Sequence, residues 1–348
     1  MTASMKSLVI HAARDLRIED RAPAPPASGE VQVRISHGGI CGSDLHYFNH
    51  GGFGPVRLRE PMVLGHEVAG EIIAVGDDVR GFSVGDAAAV SPSLPCETCH
   101  YCQRGQANHC LNMQFFGSAM PFPHIQGAFQ QILTTDARRC VPVNGLSLAA
   151  AAMAEPLAVV LHAVKQSGSL RDKTVLISGC GPIGLLAVLA ARHAQAETII
   201  ATDLSPFTLA AAKQIGADYV INVADRPDGL HDWHRDTGQI DVQFECSGAA
   251  PALKAGIPAL RPGGIIVQLG LGGDMPVPMM ALTAKELQLR GSFRFHEEYS
   301  TAIKLMQEGA IDPTPLITST MPLRDAETAF RAAGDRSHHI KVQIDFTA

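Results

Sequence analysis

TVLISGCGPIGLLAVLAARHAQAETIIATD, residues 174–203, reads as a short apolar strand, a glycine-rich turn, an apolar helix and a second strand that ends in an acid. Gly179, Gly181 and Gly184 form the pattern G-x-G-x-x-G directly between the first strand and the helix. Glycines in that position permit a tight turn and close approach of the backbone to a pyrophosphate, while the helix N-terminus offers unpaired N–H groups. The alternative is a glycine-rich turn with no ligand, which the flanking strand and helix disfavour. The stretch therefore predicts the first unit of a dinucleotide-binding sheet.

Asp203, at the end of the second strand, bears on the choice of dinucleotide. It lies 19 residues after Gly184. An acid there accepts hydrogen bonds from the hydroxyls of the adenosine ribose and repels a 2′-phosphate. We therefore expect NAD to be favoured over NADP.

The chain after this stretch continues to alternate between helices and strands. A helix is predicted at LAAAKQIGA (209–217), and strands are predicted at YVINV (219–223), DVQFECSG (241–248) and GGIIVQLG (263–270). This alternation predicts an α/β domain with a doubly wound parallel sheet of the Rossmann type. The segment QLRGSFRFH (288–296) is expected to leave that sheet.

Residues 6–145 show a different sequence pattern, in which short predicted strands are separated by glycine and proline. Examples are EVQVRISHGG (30–39), EVAGEIIAVG (67–76) and VGDAAAV (84–90), which predict a β-rich domain of barrel type. The C-terminal end is expected to return to this domain. A chain of 348 residues, 46% of them hydrophobic, is long enough to bury two cores.

Composition excludes several classes of function. A net charge of -6 argues against non-specific binding to nucleic acid or to an anionic membrane. No window approaches the roughly 18 apolar residues of a membrane span, so we expect a soluble protein. The N-terminal segment MTASMKSLVIHAARD lacks the apolar core of a secretory signal, and the cysteine content is low for a disulfide framework. Both features favour the cytoplasm.

CETCHYCQRGQANHC, residues 96–110, contains four of the eight cysteines. Paired C-x2-C thiolates suit one tetrahedral zinc ion, with a redox site or an iron–sulfur cluster as alternatives. The cluster holds one Arg and no Lys, which argues against a nucleic-acid-binding ribbon. Four sulfur ligands leave no position for a substrate, so a structural zinc is predicted at Cys96, Cys99, Cys102 and Cys110.

A second set of potential metal ligands is spread over the first domain. GGICGSDLH contributes Cys41, VLGHEV contributes His66 and Glu67, and AEPLAVVLHA contributes Glu155. Three protein ligands and one open position are what a catalytic zinc requires. A metalloprotease H-E-x-x-H motif is excluded because Gly70 stands where its second histidine would be. Spacing alone does not decide between a metal site and a chance grouping.

The segment around His66 carries a family resemblance. The pattern G-H-E-x-x-G-x5-G-x-x-V, formed by Gly65, His66, Glu67, Gly70, Gly76 and Val79, resembles the signature of zinc-containing medium-chain alcohol and polyol dehydrogenases. The four-cysteine segment and the glycine turn follow in that family's order, so the resemblance covers nearly the whole chain. It implies a GroES-like zinc-binding catalytic domain over 1–155, completed by 293–348, and a Rossmann NAD-binding domain over 156–292. It also implies a homodimer or homotetramer with two zinc ions per chain.

Within this family, Glu155 resembles the sorbitol dehydrogenase branch. The segments GGICGSDLHY, MQFFGSAMPFPHIQG, ISGCGPIG and LRGSFRF resemble members that interconvert the sugar acid L-idonate and 5-keto-D-gluconate. Oxidation of a neutral polyol or of threonine is the alternative within enzymes. A zinc and nucleotide sensor without catalysis is an alternative of another class. Thr208 stands where sorbitol dehydrogenases often carry an arginine, which supports NAD, although members that use both cofactors leave NADP open.

The resemblance also implies roles for individual residues. Cys41, His66 and a glutamate, either Glu67 or Glu155, would hold a zinc that acts as a Lewis acid on the substrate hydroxyl. Ser43 and His46 would relay the alcohol proton to solvent, although a lone histidine is more commonly a surface or packing residue. Asp44 would instead be structural, bonding backbone beside the metal loop. Tyr47 and Arg294 would meet the substrate. The expected cofactor contacts are Gly179, Gly181, Pro182, Ile183, Gly184, Asp203, Leu269, Gly270, Leu271, Ser292, Phe293 and Arg294.

Overall fold

The computed structural model describes residues 4–348; residues 1–3, the start of the N-terminal segment considered above, lie outside the described part. The strands are β1 Met5–Ala12, β2 Asp15–Arg21, β3 Glu30–Gly39, β4 Gly52–Phe53, β5 Val56–Arg57, β6 Met62–Val63, β7 Glu67–Val75, β8 Ala87–Val90, β9 Ser93–Leu94, β10 Gln114–Phe115, β11 Ile132–Asp136, β12 Cys140–Pro142, β13 Thr174–Ser178, β14 Thr198–Asp203, β15 Tyr219–Asn222, β16 Ile240–Glu245, β17 Leu260–Gln268, β18 Gln288–Gly291, β19 Ile317–Pro322 and β20 Lys341–Asp345. The α-helices are α1 Gly42–His50, α2 His100–Gln103, α3 Leu148–Ala151, α4 Ala154–Ser167, α5 Pro182–His193, α6 Pro206–Gln214, α7 Ala250–Ala259, α8 Met279–Ala284, α9 Glu298–Gln307 and α10 Ala326–Gly334. Short 3₁₀ turns lie at Ala107–His109, Ala137–Arg139, His231–Trp233, Arg235–Thr237, Thr314–Leu316 and Leu323–Asp325.

The first domain is built around a seven-stranded sheet in the order β12-β8-β7-β3-β20-β19, with β11 also paired to β3. In β3 the residues Val31, Val33 and Ile35 alternate with polar residues and are fully buried, as expected for a strand with one face on a core. A Cβ on Gly70 of β7 would overlap the backbone of β3, so only glycine allows the two strands to pair this closely. The β-rich first domain predicted from sequence is therefore present.

The second sheet has six parallel strands in the order β15-β14-β13-β16-β17-β18. Counted along the chain from β13, this is the 3-2-1-4-5-6 order of a Rossmann fold, which confirms the predicted fold class. One detail of the sequence prediction was wrong. Residues 288–291 remain in the sheet as β18, paired with β17, and the chain leaves the sheet only at Ser292.

The C-terminal segment returns to the first sheet, as expected. Strand β20 pairs antiparallel with the end of β3, and β19 pairs parallel with β20. This return brings Lys341, the first residue of β20, next to the loop that follows β3. Residues near position 40 and residues near position 341 therefore lie in the same buried layer of the domain.

Helix α4 connects the two sheets. It packs against α5 of the parallel sheet and against α9, and these elements share one apolar core with residues of the first domain such as Ala69 and Ala89. The predicted domain limit between 155 and 156 falls in the first turn of this helix. The limits 1–155, 156–292 and 293–348 therefore stay a prediction. Among residues 4–348, none of the helices is both long and apolar enough to cross a lipid bilayer.

Candidate active site and metal centres

The predicted ligands Cys41, His66 and Glu67 come together at the place where β3 ends and β7 begins. Cys41 N-caps α1 directly after β3, and Glu67 is the first residue of β7, opposite Gly39 of β3. One ligand atom from each of the three side chains lies within 4.8 Å of the other two. A Cβ on Gly39 would overlap the Glu67 carboxylate, so this glycine leaves room for the acid.

Asp44 ties the two loops that carry these ligands. Its carboxylate accepts one hydrogen bond from the N–H of Cys41, at 3.0 Å, and another from the N–H of Gly65, at 3.2 Å. Oδ1 also lies 3.8 Å from Nδ1 of His66. The side chain is fully buried, in agreement with the expected structural role.

Lys341 is a residue of this site that the sequence did not reveal. Its ammonium lies 2.8 and 2.7 Å from the two carboxylate oxygens of Glu67 and donates to the carbonyl of Ile40 at 3.2 Å. Lys341 and Glu67 are only 2% and 1% exposed. The sequence offers only a lysine at the start of the strand KVQID, in which apolar and polar residues alternate, and nothing in it connects this lysine to a partner 274 residues away.

Glu155 reaches the same region from the first turn of α4. Its carboxylate is buried and has no hydrogen bond or ion pair to any described residue, and its ligand atoms are not part of the close set formed by Cys41, His66 and Glu67. Burial raises the pKa of Glu155 to about 7, although the charge of His66 opposes this shift.

The composition of this cluster fits a divalent metal. The buried carboxylates of Asp44, Glu67 and Glu155 and the partly buried thiol of Cys41 bring four acidic groups to this site, and Lys341 is ion-paired with Glu67. Buried charges are normally paired or bound to a metal. Burial alone would lower the pKa of His66, but Asp44, Cys41 and Glu155 raise it well above its usual range, and its buried Nδ1 has no hydrogen-bond partner among the described residues. Sulfur, imidazole and carboxylate together form a donor set that suits zinc.

The predicted relay and substrate residues of α1 lie beside this cluster. Ser43 and His46 are partly exposed, and burial, with a smaller contribution from His50, lowers the pKa of His46. Tyr47 is almost fully buried, and its hydroxyl accepts a hydrogen bond from the N–H of Ala119 at 3.0 Å. Its polar group therefore already has a partner in the protein.

Arg294 lies on the loop after β18 and faces the cluster. Its guanidinium carbon is 4.3 Å from the ring centroid of Phe115 and 4.9 Å from that of Phe293. The Phe115 ring in turn lies 5.7 Å from the ring of His66. Burial lowers the pKa of Arg294, while Glu155 and Tyr47 oppose the shift. Phe115, which sequence reasoning missed, thus connects the predicted metal ligand His66 to the predicted substrate cation.

The four cysteines at 96–110 form a separate cluster, which we call the four-cysteine lobe. One sulfur from each cysteine lies within 4.8 Å of the others, and all four are free thiols. The N–H groups of Cys96 and Asn112 donate to the sulfur of Cys110 at 3.2 and 3.3 Å. Hydrogen bonds, chiefly from Asn112, lower the pKa of Cys96 to about 5, whereas burial raises that of Cys102 to about 12. Four convergent sulfurs with N–H···S bonds fit a tetrahedral structural zinc.

The glycine turn has the geometry that a dinucleotide site requires. Gly179 has φ +89° directly after β13, and Gly181 is the N-cap of α5. A Cβ on Gly184 would overlap the carbonyl oxygen of Gly179, so the helix packs closely on the turn. Asp203 accepts hydrogen bonds from the N–H of Cys180 at 2.6 Å and of Ser205 at 2.9 Å. This acid therefore also joins the ends of β13 and β14.

The remaining predicted cofactor residues lie along the carboxyl edge of the same sheet. Leu269, Gly270 and Leu271 follow β17, and the segment 292–294 follows β18. Ligands of doubly wound sheets bind outside the carboxyl ends of the strands. The Ser292 hydroxyl is buried without a hydrogen-bond partner among the described residues, and Leu271 is largely exposed.

Comparisons with known proteins agree with this architecture. Residues 27–145 match the family model of the alcohol dehydrogenase GroES-like domain, and residues 182–308 match that of the zinc-binding dehydrogenases. The chain belongs to the zinc-binding alcohol dehydrogenase family. It is accordingly an oxidoreductase with zinc and NAD(P) as cofactors, as the resemblance implied.

Individual relatives indicate which enzymes of the family this chain resembles. The chain is 43% identical to L-idonate 5-dehydrogenase (NAD(P)(+)) of Escherichia coli K12, over 90% of this chain and 91% of that protein. The crystal structure of L-idonate 5-dehydrogenase from the same species superposes with a TM-score of 0.94 at 40% identity, covering 99% of both chains. Sorbitol dehydrogenase of Bacillus subtilis is 36% identical, over 98% of this chain and 97% of that protein. The chain is therefore similar to enzymes of both sugar acids and neutral polyols.

Proposed function

We propose that this protein oxidises a secondary alcohol of a sugar acid, with interconversion of L-idonate and 5-keto-D-gluconate as its reaction. The observation that carries the proposal is Arg294. This cation lies over the ring of Phe115, which also contacts His66, yet it forms no ion pair within residues 4–348; its one polar side-chain contact there is Met120 Sδ at 3.4 Å. An arginine without a protein carboxylate is available for two charge-assisted hydrogen bonds to a substrate carboxylate. The similarity to an L-idonate dehydrogenase over nine-tenths of the chain supports the same choice.

The proposed zinc ligands are Cys41, His66 and Glu67. Their mutual distances favour this set, and Lys341 fixes the orientation of the Glu67 carboxylate. Glu155, which is buried without a protein partner, is the neighbour that would face the open side of the site. When bound, zinc supplies Lewis acidity towards the substrate hydroxyl and NAD(P) supplies a hydride acceptor.

The residues of α1 would carry the proton away. Ser43 lies two residues after Cys41, and His46 lies in the middle of the same short helix and is partly exposed. Because burial lowers the pKa of His46, its ring is neutral near pH 7 and can accept a proton. A sensor that only binds zinc and nucleotide has no use for this pair, so their presence favours catalysis.

We also propose that the enzyme works as a cytoplasmic homodimer or homotetramer. The outer edge of β18 is unpaired within the described chain; Leu289 on this strand is 45% exposed, and Phe293, two residues beyond its end, is 43% exposed. An open edge beside apolar side chains suits a second copy of the same chain. The free state of all eight cysteines fits a reducing compartment. Light scattering coupled to gel filtration would report the mass, and a monomer at micromolar concentration would contradict the assembly.

A panel of substrates tests the proposed reaction. L-idonate, sorbitol, xylitol and L-threonine would each be assayed with NAD and with NADP by nicotinamide absorbance. We expect the highest kcat/KM with L-idonate and NAD. A preference for sorbitol or xylitol would assign the neutral-polyol alternative, and binding of NAD without turnover of any alcohol would assign the sensor.

A further inference from the structure

The four-cysteine lobe touches the loop that carries Arg294. Asn108 lies in the 3₁₀ turn between Cys102 and Cys110, and its amide Nδ2 donates to the carbonyl of Phe293 at 3.0 Å. Asn108 is only 8% exposed, and the two residues are 185 positions apart. The ring of His109 stacks on Phe293, with centroids 6.0 Å apart and an interplanar angle of 21°. The lobe therefore holds the residue directly before Arg294 by one hydrogen bond and one ring contact.

The base of the lobe reaches Arg294 from another side. Strand β9 precedes the lobe and strand β10 follows it. The two strands pair with each other, with Gln114 opposite Leu94 and Phe115 opposite Ser93. Phe115, on β10, lies under the guanidinium at 4.3 Å and beside His66 at 5.7 Å. A displacement of the lobe would move both Phe115 and the Phe293 carbonyl, and with them two contacts of Arg294.

The backbone of Arg294 needs such support. Its φ is +56°, in the left-handed region that non-glycine residues rarely adopt. Conformations of this kind persist when the surrounding structure over-determines them, and they concentrate at functional sites. The peptide held by Asn108 is the one that precedes this residue, so the hydrogen bond acts at the point of strain.

We propose that the four-cysteine lobe positions Arg294 for the substrate carboxylate, with Asn108 as the positioning residue. The lobe metal then contributes to substrate choice as well as to folding, because Cys110, a predicted metal ligand, directly follows the turn that holds Asn108 and His109. This inference rests on the proposed role of Arg294 in the enzyme. It assigns no chemical step to the lobe.

The test compares two amides of the same lobe. Asn108→Ala removes the bond to Phe293, whereas Gln106→Ala removes an exposed amide that makes no side-chain hydrogen bond to the described residues. For the zinc-loaded protein we expect Asn108→Ala to raise KM for L-idonate roughly two- to tenfold, as for the loss of one hydrogen bond, with kcat and sorbitol turnover changed less. Gln106→Ala should leave the ratio of the two substrates unchanged. His109→Ala, at an exposed position, should change the ratio in the same direction but less.

Hydrogen exchange measures the positioning without turnover. In Asn108→Ala we expect faster amide exchange in residues 292–296 at a zinc content of two per chain, while Gln106→Ala matches the parent. Unchanged exchange in that segment, or a fall in stability with an unchanged substrate ratio, would overturn the inference.

Arg294→Ala separates this inference from the proposed function. If that variant loses L-idonate and sorbitol turnover equally, the carboxylate role is refuted, whatever Asn108 does. If Arg294→Ala lowers the L-idonate to sorbitol ratio but Asn108→Ala leaves it unchanged, only the positioning role is refuted. If both hold, Asn108→Ala should have no further effect on the ratio in the Arg294→Ala background.

Discussion

The two candidate metal sites of this protein differ in how they are assembled. The four-cysteine lobe takes all its sulfurs from 15 consecutive residues, 96–110, and the pKa of Cys96 is lowered mainly by hydrogen bonds from nearby residues. The cluster around Cys41 draws on the ends of β3 and β7, on α4 and on Lys341 of β20, and its charged groups are buried. Local spacing suffices for a closed metal site that supports structure. An open, buried site needs side chains from distant segments, because each charge taken from water requires a partner.

The largest expected effect is at the buried cluster. Cys41→Ser should abolish turnover while the melting temperature changes little, because Cys41 is only partly buried and Asp44 still joins the neighbouring loops. Metal analysis of the pure variant should find one zinc per chain instead of two. If the parent protein binds no more than one zinc even after zinc is supplied, the chain does not have two zinc sites.

The matching change in the four-cysteine lobe, Cys99→Ser, should act mainly on the stability of the fold. Cys99→Ser should release the lobe zinc and lower the melting temperature by roughly 10 °C, because structural sites contribute folding energy. Calorimetry with zinc present and after chelation provides the measurement. A variant that keeps both metals and the parental melting temperature would contradict a structural role for Cys99.

Lys341→Met tests the charge balance of the buried cluster. Removing one partner of a buried ion pair typically costs about 3 to 5 kcal/mol, because the other charge stays buried and unpaired. We expect this loss in denaturant unfolding of the metal-free protein, with a smaller loss once zinc is bound to neutralise Glu67. The exposed pair Lys304–Glu308 offers the control, since Lys304→Met should change stability by less than about 1 kcal/mol.

Arg294 lies where the two regions meet. Arg294→Ala should lower kcat/KM for L-idonate roughly ten- to hundredfold, as for a lost charge-assisted hydrogen bond, and should affect sorbitol less. NAD affinity, followed by nicotinamide fluorescence, should change less than either. The opposite result, with NAD binding lost and the substrate ratio kept, would make Arg294 a cofactor residue.

The smallest effect is expected at the cofactor edge, away from both clusters. Asp203→Asn keeps the shape of the side chain and one of the two oxygens that accept from the N–H groups of Cys180 and Ser205, and it removes the charge that repels a 2′-phosphate. NADP should gain on NAD by roughly tenfold in kcat/KM, about the value of one hydrogen bond. The zinc content should stay at two per chain. An unchanged ratio would mean that another residue distinguishes the ribose.

Much of this molecule could be predicted from local patterns. The glycine turn, the strand that ends at Asp203 and the four cysteines each depend on residues within about 30 positions, so their spacing determines their geometry. The motif around His66 identified the family. The assignment of 288–296 to a chain leaving the sheet was wrong at residues 288–291, because β18 is a short edge strand stabilised mainly by its pairing with β17.

The sequence by itself determined the two-domain α/β architecture, the nucleotide turn, the closed four-cysteine site and the family, because local backbone geometry and short-range spacing encode all of them. Only the tertiary structure decided that Lys341 holds Glu67, that Glu155 is left without a protein partner, and that Asn108 supports the loop of Arg294. These contacts join residues as far as 274 positions apart. Their geometry follows from strand pairing and helix packing over the whole chain, so no local pattern records which distant side chains meet.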